Sequence, residues 1–327
     1  MKLATLRTGT RDGALLVCSR DLARAVRADA VAPTLQAALD DWSNVAASLQ
    51  ALAKKLEDRR MPEAFPLDPA ALMAPLPRPF GWIDSSVYLN HMELARRLRN
   101  VDMPEVFRHE PLLSPRVPER FHGPREAIDL PAGDIGLDLE GEVAVILGDV
   151  PTGASVQHAA QSIRLITLVN DTSYRSVYAR DLARGKTGFH GKGAPVMAPV
   201  AVTPDELGAA WDGGKVCLPL ECDINGKRLG CPDAGVDMHF DFTAIIMHAA
   251  SLRPLTAGTV IGSGTVSNRD RSAGSACIAE ARMTETIEGG KAVTPYLTAG
   301  DTVRIEMFDA ERRSVFGAIL QRVQAAG

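Results

Sequence analysis

Six prolines crowd residues 61–79 and constrain the fold of this chain more than any other feature. They are Pro62, Pro66, Pro69, Pro75, Pro77 and Pro79. Because proline lacks the backbone N–H that helices and central strands require, neither element can run through this segment unbroken. We predict an extended connector that separates a small N-terminal domain, residues 1–75, from a larger domain, residues 76–327.

The hydrophobic pattern differs on the two sides of the connector. Before it, Asp12-Gly13 separates two apolar runs, which predicts a β-hairpin, and apolar residues at three- and four-residue steps predict a helix within residues 32–57. After it, a helix is predicted over residues 241–252. The predicted strands are residues 137–147, 165–169, 196–202, 216–223, 259–262, 275–284 and 302–308. Because many strands and few helices exclude a regular βαβ array, the predicted fold class is mainly β, of the α+β type.

Composition excludes several classes of protein. The 36 basic and 40 acidic residues give a net charge of −4, and without a dense Lys/Arg block nucleic acid is not the expected partner. The sequence contains no run of about 18 apolar residues and no apolar N-terminal signal, so we expect no membrane partner. The five cysteines are odd in number and form no C-x-x-C pair, which agrees with a reducing compartment. We therefore expect a cytoplasmic enzyme.

The segment Glu140-Gly141-Glu142 carries the strongest chemical signal. In a strand, residues two apart face the same side, so both carboxylates would project together. Such a pair repels unless one group is protonated or a cation lies between them. Mg²⁺ is commonly held by a few carboxylates and water. The alternative is a solvent-facing strand edge on which both glutamates contact water.

Two further segments carry polar groups that suit a site. Asn170-Asp171 ends an apolar run, and Arg175 follows one helical turn later, so Asp171 could add a third carboxylate. The alternative is an Asx-turn with a surface ion pair. Asp84 precedes His91 by seven residues. Histidine is the usual general base near neutral pH, although seven are present and pattern alone does not select His91.

In this order, the motifs resemble those of the fumarylacetoacetate hydrolase family. The matching stretches are residues 140–145, 170–175, 189–192, 262–267 and 277–280. The resemblance covers nearly all of residues 75–327 and, more loosely, the N-terminal domain. It implies a β-roll catalytic domain preceded by a small N-terminal β domain, and assembly as a homodimer.

The resemblance also implies a role for each site residue. The implied metal ligands are Glu140, Glu142 and Asp171, with Asp84 added provisionally. The implied catalytic residues are His91, Glu280, Arg175 and Lys192. The implied substrate-binding residues are Tyr88, Thr265, Arg175 and Lys192. The cofactor would be a divalent cation, with Mg²⁺ expected first and Ca²⁺ or Mn²⁺ as alternatives.

The chain departs from the family pattern near the histidine and at the substrate. Smaller members carry a glutamate three residues after the histidine, where this chain has Leu94, while Glu93 stands one residue earlier. Fumarylacetoacetases have an arginine and a glutamine where this chain has Asn100 and Tyr178. The nearby arginines that could compensate are Arg96, Arg97 and Arg99.

The function implied is metal-dependent hydrolysis of a C–C bond in a β-diketone acid. The substrate would be a 2,4-dioxo or 3,5-dioxo acid, either fumarylacetoacetate, as in tyrosine degradation, or a related acylpyruvate. Hydrolysis is feasible because a 1,3-dicarbonyl delocalises the leaving carbanion as an enolate, and His91 would activate the attacking water. The main alternative is a 2-oxo acid hydratase, decarboxylase or isomerase that uses the same metal–enolate site. A binding protein without turnover is a third hypothesis.

Overall fold

The computed structural model describes residues 1–117, 120–185 and 189–326. Its elements confirm a mixed α+β fold. The strands, in chain order, are β1 (Lys2–Leu6), β2 (Ala14–Cys18), β3 (Arg24–Arg27), β4 (Phe65–Pro66), β5 (Gly81–Ser86), β6 (Leu112–Arg116), β7 (Ile128–Leu130), β8 (Leu137–Asp138), β9 (Gly141–Leu147), β10 (Ile163–Asn170), β11 (Ser173–Tyr174), β12 (Val196–Met197), β13 (Ala201–Val202), β14 (Leu220–Ile224), β15 (Lys227–Gly230), β16 (Thr259–Gly262), β17 (Thr302–Met307) and β18 (Ile319–Ala325). The α-helices are α1 (Leu35–Asp40), α2 (Trp42–Glu57), α3 (Leu89–Leu98), α4 (Val156–Ser162), α5 (Arg175–Ala183), α6 (Phe242–Ala249) and α7 (Ile278–Gly289).

The largest sheet joins strands from both sides of the proline-rich segment. Its order is β4-β3-β2-β1-β13-β10-β9-β16-β5-β6, and β12 also pairs with β10. The predicted hairpin is present as β1 and β2, and β1 continues into the rest of the sheet by pairing with β13. Because one sheet runs through both predicted domains, the boundary at residue 75 stays a prediction.

Strand β9 shows why the centre of this sheet is so apolar. Its alternate residues Val143, Val145 and Leu147 face a core that also contains residues of a second sheet, ordered β15-β14-β17-β18-β7. The intervening Ala144 and Ile146 face another core, beneath α1 and α2. A strand buried on both faces needs a continuous apolar run rather than alternation, and this strand has one.

Several helices differ from the sequence-based expectation. The helix predicted within residues 32–57 forms as α1 and α2, which are separated at Asp41. The strand predicted over residues 275–284 was wrong: α7 occupies most of that stretch, because its alanine, glutamate, arginine and methionine residues favour a helix. Helix α3, which carries His91, was not predicted, and neither were α4 and α5. Among the described residues, no helix is long and apolar enough to cross a membrane.

Four neighbouring strands of the large sheet, β10, β9, β16 and β5, bring distant acidic residues together. Glu142 of β9 lies opposite Val169 of β10, two residues before Asp171. Strand β16 lies between β9 and β5, and its Gly262 pairs with Asp84. Asp84, Glu142 and Asp171 therefore meet at one region of the sheet although up to 87 residues separate them in sequence.

Candidate active site

Three buried carboxylates form a group suited to a metal ion. One oxygen from each of Asp84, Glu142 and Asp171 lies within 4.8 Å of the others. All three side chains are buried. Carboxylate oxygens are the ligands that Mg²⁺, Ca²⁺ and Mn²⁺ prefer in proteins.

Gly262 makes room for one of these carboxylates. A Cβ atom at this position would lie 2.6 Å from Oε2 of Glu142 and 2.5 Å from the ring of Trp82. Both distances are below van der Waals contact, so only glycine lets the Glu142 side chain occupy this place. Close packing against Glu142 and Trp82 therefore explains why glycine stands at the start of the matched stretch 262–267.

The electrostatics and hydrogen bonding of the acidic group fit a divalent cation. Burial, together with the charges of Asp84 and Asp171, raises the pKa of Glu142 well above its ordinary value. Burial also raises the pKa of Asp84 to about 6, although Arg116 opposes the shift. Within the described residues, both oxygens of Glu142 and Oδ1 of Asp84 have no hydrogen-bond partner. Because buried carboxylates are normally satisfied, these three oxygens are suitable metal ligands.

Glu140, the fourth predicted ligand, has a different environment. Its oxygens accept hydrogen bonds from Ser173 (2.5 Å), Thr265 (3.2 Å) and Lys192 (3.1 Å to each oxygen), and Nη2 of Arg175 lies 3.0 Å from Oε1. Burial opposes ionisation, but Arg175 and Lys192 lower the pKa of Glu140 well below its ordinary value. The described structure does not place Glu140 in the group of three. Its coordination of a metal stays a prediction.

Two cations hold the acidic group from the side of the cavity. Nζ of Lys192 lies 2.6 Å from Oδ2 of Asp171. Burial alone would lower the pKa of this lysine, but the negative charges of Asp171 and Glu140 together outweigh it, so the pKa is raised. Nη2 of Arg116 donates to Oδ2 of Asp84 at 2.5 Å. Sequence reasoning missed Arg116. The only signal was one arginine within the otherwise uncharged residues 111–117.

His91 and Glu280 form the pair that the resemblance implies. Nδ1 of His91 lies 2.7 Å from Oε2 of Glu280 across the contact between α3 and α7. The imidazole side chain is 22% exposed and the carboxylate is 1% exposed. Glu93, the other carboxylate close in sequence, instead pairs with Arg108 and Arg269. The described structure therefore brings His91 to Glu280, and Glu93 points elsewhere.

Asp138 is a second residue that sequence reasoning missed. It is fully buried, and Oδ2 accepts a hydrogen bond from Nε of Arg175 at 2.7 Å. It also accepts from the backbone N–H groups of Ile278 and Ala279, at the start of α7. Asp138 occurs two residues before Glu140, so an extended D-x-E-x-E pattern was the available signal.

A cavity of about 800 Å³ opens above these groups. The predicted site residues that line it are Asp84, Tyr88, His91, Glu140, Arg175, Lys192 and Thr265. The Tyr88 hydroxyl, however, is buried and donates to the carbonyl of Ala234 at 2.7 Å, so its contact with substrate stays a prediction. Arg96 and Arg99, two of the arginines considered for substrate recognition, also line the cavity.

Together, the fold and this geometry define an enzyme-type cavity with a candidate divalent-metal site and a histidine–carboxylate pair. The model for the fumarylacetoacetase N-terminal domain 2 matches residues 1–78, and the model for the fumarylacetoacetate hydrolase C-terminal domain matches residues 84–324. The chain belongs to the fumarylacetoacetate hydrolase family.

A hydrolase is related to this chain in sequence, and a hydrolase and an isomerase share its fold. The chain is 26% identical to 2,4-didehydro-3-deoxy-L-rhamnonate hydrolase from Sphingomonas sp. (strain SKA58) over 211 residues, which are 63% of this chain and 65% of that relative. The fold matches maleylpyruvate hydrolase from Sphingobium sp. SYK-6, crystallised with manganese(II) ion and pyruvate, with a TM-score of 0.66 and 16% identity over 100% of both chains. It also matches 2-hydroxyhepta-2,4-diene-1,7-dioate isomerase from Mycobacterium marinum, with a TM-score of 0.62 and 19% identity over 100% of this chain and 99% of that one.

Proposed function

We propose that this protein is a divalent-metal-dependent hydrolase that cleaves a C–C bond in a β-diketone acid of the acylpyruvate or fumarylacetoacetate type. The observation that carries the proposal is that His91, which lines the same cavity as Asp84, has its Nδ1 2.7 Å from Oε2 of the buried Glu280. Decarboxylation and isomerisation of 2-oxo acids pass through an enolate without attack by water, whereas hydrolysis needs a base that activates water. The histidine–carboxylate pair supplies that base. Hydration also consumes water and is distinguished from hydrolysis by its product.

Water activation follows from the hydrogen bond between His91 and Glu280. When Nδ1–H of His91 donates to Oε2 of Glu280, Nε2 is left without a proton and can accept one from water. The hydroxyl group then adds to the carbonyl carbon of the substrate. The C–C bond breaks with its electron pair delocalised as the enolate of the leaving fragment, and that fragment takes up a proton. Water is consumed and two products are released.

The other cavity residues would stabilise negative charge. Arg175 and Lys192 are both cationic and line the cavity, and each is paired with two carboxylates: Arg175 with Asp138 and Glu140, and Lys192 with Glu140 and Asp171. Because these cations are held in place before substrate arrives, they lose little freedom when charge develops on the substrate oxygens. Thr265 lines the same cavity, but its hydroxyl donates to Oε2 of Glu140 at 3.2 Å, so it would reach substrate only by exchanging that hydrogen bond.

A divalent cation fits the donor set of the site. Asp84, Glu142 and Asp171 would hold it, with Glu140 as a proposed fourth ligand, and Mg²⁺ is the ion we propose, with Mn²⁺ and Ca²⁺ as alternatives. When bound, such an ion supplies Lewis acidity to the oxygens of a chelating 1,3-dicarbonyl.

Loss of diketone ultraviolet absorbance tests the function directly. The protein is treated with a chelator, then supplied with Mg²⁺ or Mn²⁺, and assayed with fumarylacetoacetate and a panel of acylpyruvates, with identification of products. We expect metal-dependent release of two acids. Water addition, CO₂ loss or double-bond migration without cleavage would replace the proposal by the hydratase, decarboxylase or isomerase alternative.

Variants of the histidine pair test the mechanism. We expect His91→Gln and Glu280→Gln each to lower kcat by roughly 10²–10⁴-fold, the usual contribution of general acid–base catalysis. Glu93→Gln is the matched control, since Glu93 lies on the same helix but pairs with Arg108 and Arg269. An equal loss in all three variants, or full activity of His91→Gln, would contradict the assigned base.

A further inference from the structure

We propose that Asp138 is a positioning residue that holds Arg175 and the start of α7 in one fixed arrangement. The inference rests on the charge-stabilising role given to Arg175 in the proposed function. Asp138 is fully buried at the end of β8, whose pairing with β11 places it opposite Ser173. It therefore acts on the reaction through its neighbours rather than by contact with substrate.

Asp138 accepts hydrogen bonds from two separate parts of the site. Oδ1 accepts from the backbone N–H of Ile278 at 2.7 Å, and Oδ2 accepts from that of Ala279 at 2.9 Å. These N–H groups belong to the first turn of α7, where no partner exists within the helix and where negative charge is favourable. Oδ2 also accepts from Nε of Arg175 at 2.7 Å. One carboxylate thus joins a side chain of the cavity wall to the end of a helix.

The two parts that Asp138 joins carry the proposed chemistry. Glu280 directly follows Ala279 and contacts His91, so the backbone position of this turn sets the position of the proposed base. Arg175 is held on its other side by Glu140, with 3.0 Å between Nη2 and Oε1. This second contact is an ion pair, since Nη2 has no hydrogen-bond partner within the described residues. The directional bond from Nε to Asp138 therefore fixes the plane of the guanidinium, and its loss should let the group turn.

Asp138→Asn is the first test variant. The amide keeps the shape of the side chain, but its NH₂ group cannot accept a hydrogen bond. At least one of the N–H groups that now donate to the Asp138 carboxylate would therefore lose its acceptor. We expect kcat to fall about 100-fold, as when an oriented catalytic group moves by about 1 Å. Because Asp138 lies outside the group of three carboxylates, the rise in Tm on metal addition should be unchanged.

Cys277→Ala is the matched control for loosening of the helix end. Sγ of Cys277 accepts from the backbone N–H of Glu280 at 3.3 Å, so this variant removes a cap from the same turn without removing the bond to Arg175. We expect its kcat to fall less than about threefold. A loss in Cys277→Ala as large as that in Asp138→Asn would assign Asp138 a helix-capping role only.

Chemical rescue separates positioning from general structural damage. Added guanidinium should restore part of the kcat of Arg175→Ala, because Asp138 and Glu140 can hold the free cation. In the double variant Asp138→Asn/Arg175→Ala the same guanidinium concentration should restore at least tenfold less activity. Equal rescue in both backgrounds would overturn the proposal.

Hydrogen exchange at Nε–H of Arg175 gives a readout independent of turnover. In ¹⁵N-arginine-labelled protein, this proton should exchange slowly in the unaltered chain and in Cys277→Ala, and at least tenfold faster in Asp138→Asn. If the unaltered chain cleaves no diketone, the proposed function fails, while the exchange rates still decide whether Asp138 holds Arg175. Unchanged slow exchange in Asp138→Asn would refute the inference.

Discussion

Glu142→Gln gives the sharpest test of the candidate metal site. The substitution keeps the size of a side chain whose two oxygens have no hydrogen-bond partner within the described residues. Burial and the neighbouring carboxylates of Asp84 and Asp171 raise the pKa of Glu142, so its ionised form is costly without a cation. We therefore expect the metal-free variant to be at least as stable as the metal-free wild type, and metal binding to be lost.

The expected size follows from linkage. At a free metal concentration about 100 times Kd, binding adds about 2.7 kcal/mol to the free energy of unfolding. For 327 residues the entropy of unfolding is about 0.7 kcal/mol per kelvin, so Tm should rise by about 4 °C. If loss of one ligand weakens affinity about 100-fold, the same metal concentration leaves about 0.4 kcal/mol, less than 1 °C.

Differential scanning calorimetry with chelator, and then with Mg²⁺ or Mn²⁺, measures the Tm of the metal-free protein and the rise in Tm on metal addition. Glu93→Gln serves as the control, because it removes a carboxylate of the same helix as His91 without touching the acidic group. A rise in Tm of about 4 °C that persists in Glu142→Gln would refute the assignment of this side chain as a metal ligand.

Two further predictions concern packing around the site. Gly262→Ala should lower the free energy of unfolding by about 1–3 kcal/mol and reduce the metal-induced rise in Tm, because the added methyl group would press on Trp82 and Glu142. Calorimetry tests this against the control Gly81→Ala, whose added Cβ would meet nothing nearer than 3.5 Å. Equal effects of the two substitutions would contradict the prediction. Tyr88→Phe should lower the free energy of unfolding by about 1 kcal/mol, since it leaves the carbonyl of Ala234 without its donor, while KM changes less than about twofold. A large rise in KM at unchanged stability would show instead that the hydroxyl contacts substrate.

The sequence predicted those parts of the fold and site that local patterns determine. The Asp12-Gly13 turn located a hairpin, and the apolar run after Glu142 located a strand at the centre of the sheet. Residues 275–284 were mistaken for a strand because short apolar steps there outweighed strong helix formers. Homodimer assembly and a cytoplasmic location stay predictions.

Residues whose roles depend on contacts with distant parts of the sequence were harder to predict. His91 and Glu280 are 189 residues apart, and no spacing rule joins them; only the family resemblance paired them. Arg116 and Asp138 were missed because their roles depend on which strands become neighbours. The pairing of β5 with β6 places Arg116 near Asp84, and the pairing of β8 with β11 places Asp138 near Arg175. Such strand pairing is a long-range property of the fold that local sequence patterns do not specify.

The distribution of cations among the carboxylates would let the candidate metal site stay folded without an ion and still accept one. Lys192 lies between Glu140 and Asp171, and Arg116 contacts Asp84, so three of the four acidic groups already have a positive neighbour. Within the described structure Glu142 has none within hydrogen-bonding distance. A fixed cation close to every carboxylate would repel a divalent ion, whereas four uncompensated charges would repel one another strongly in a buried site. If the proposed site binds a divalent ion, leaving Glu142 as the uncompensated group would keep the site folded without metal and give the ion one carboxylate with which no protein cation competes.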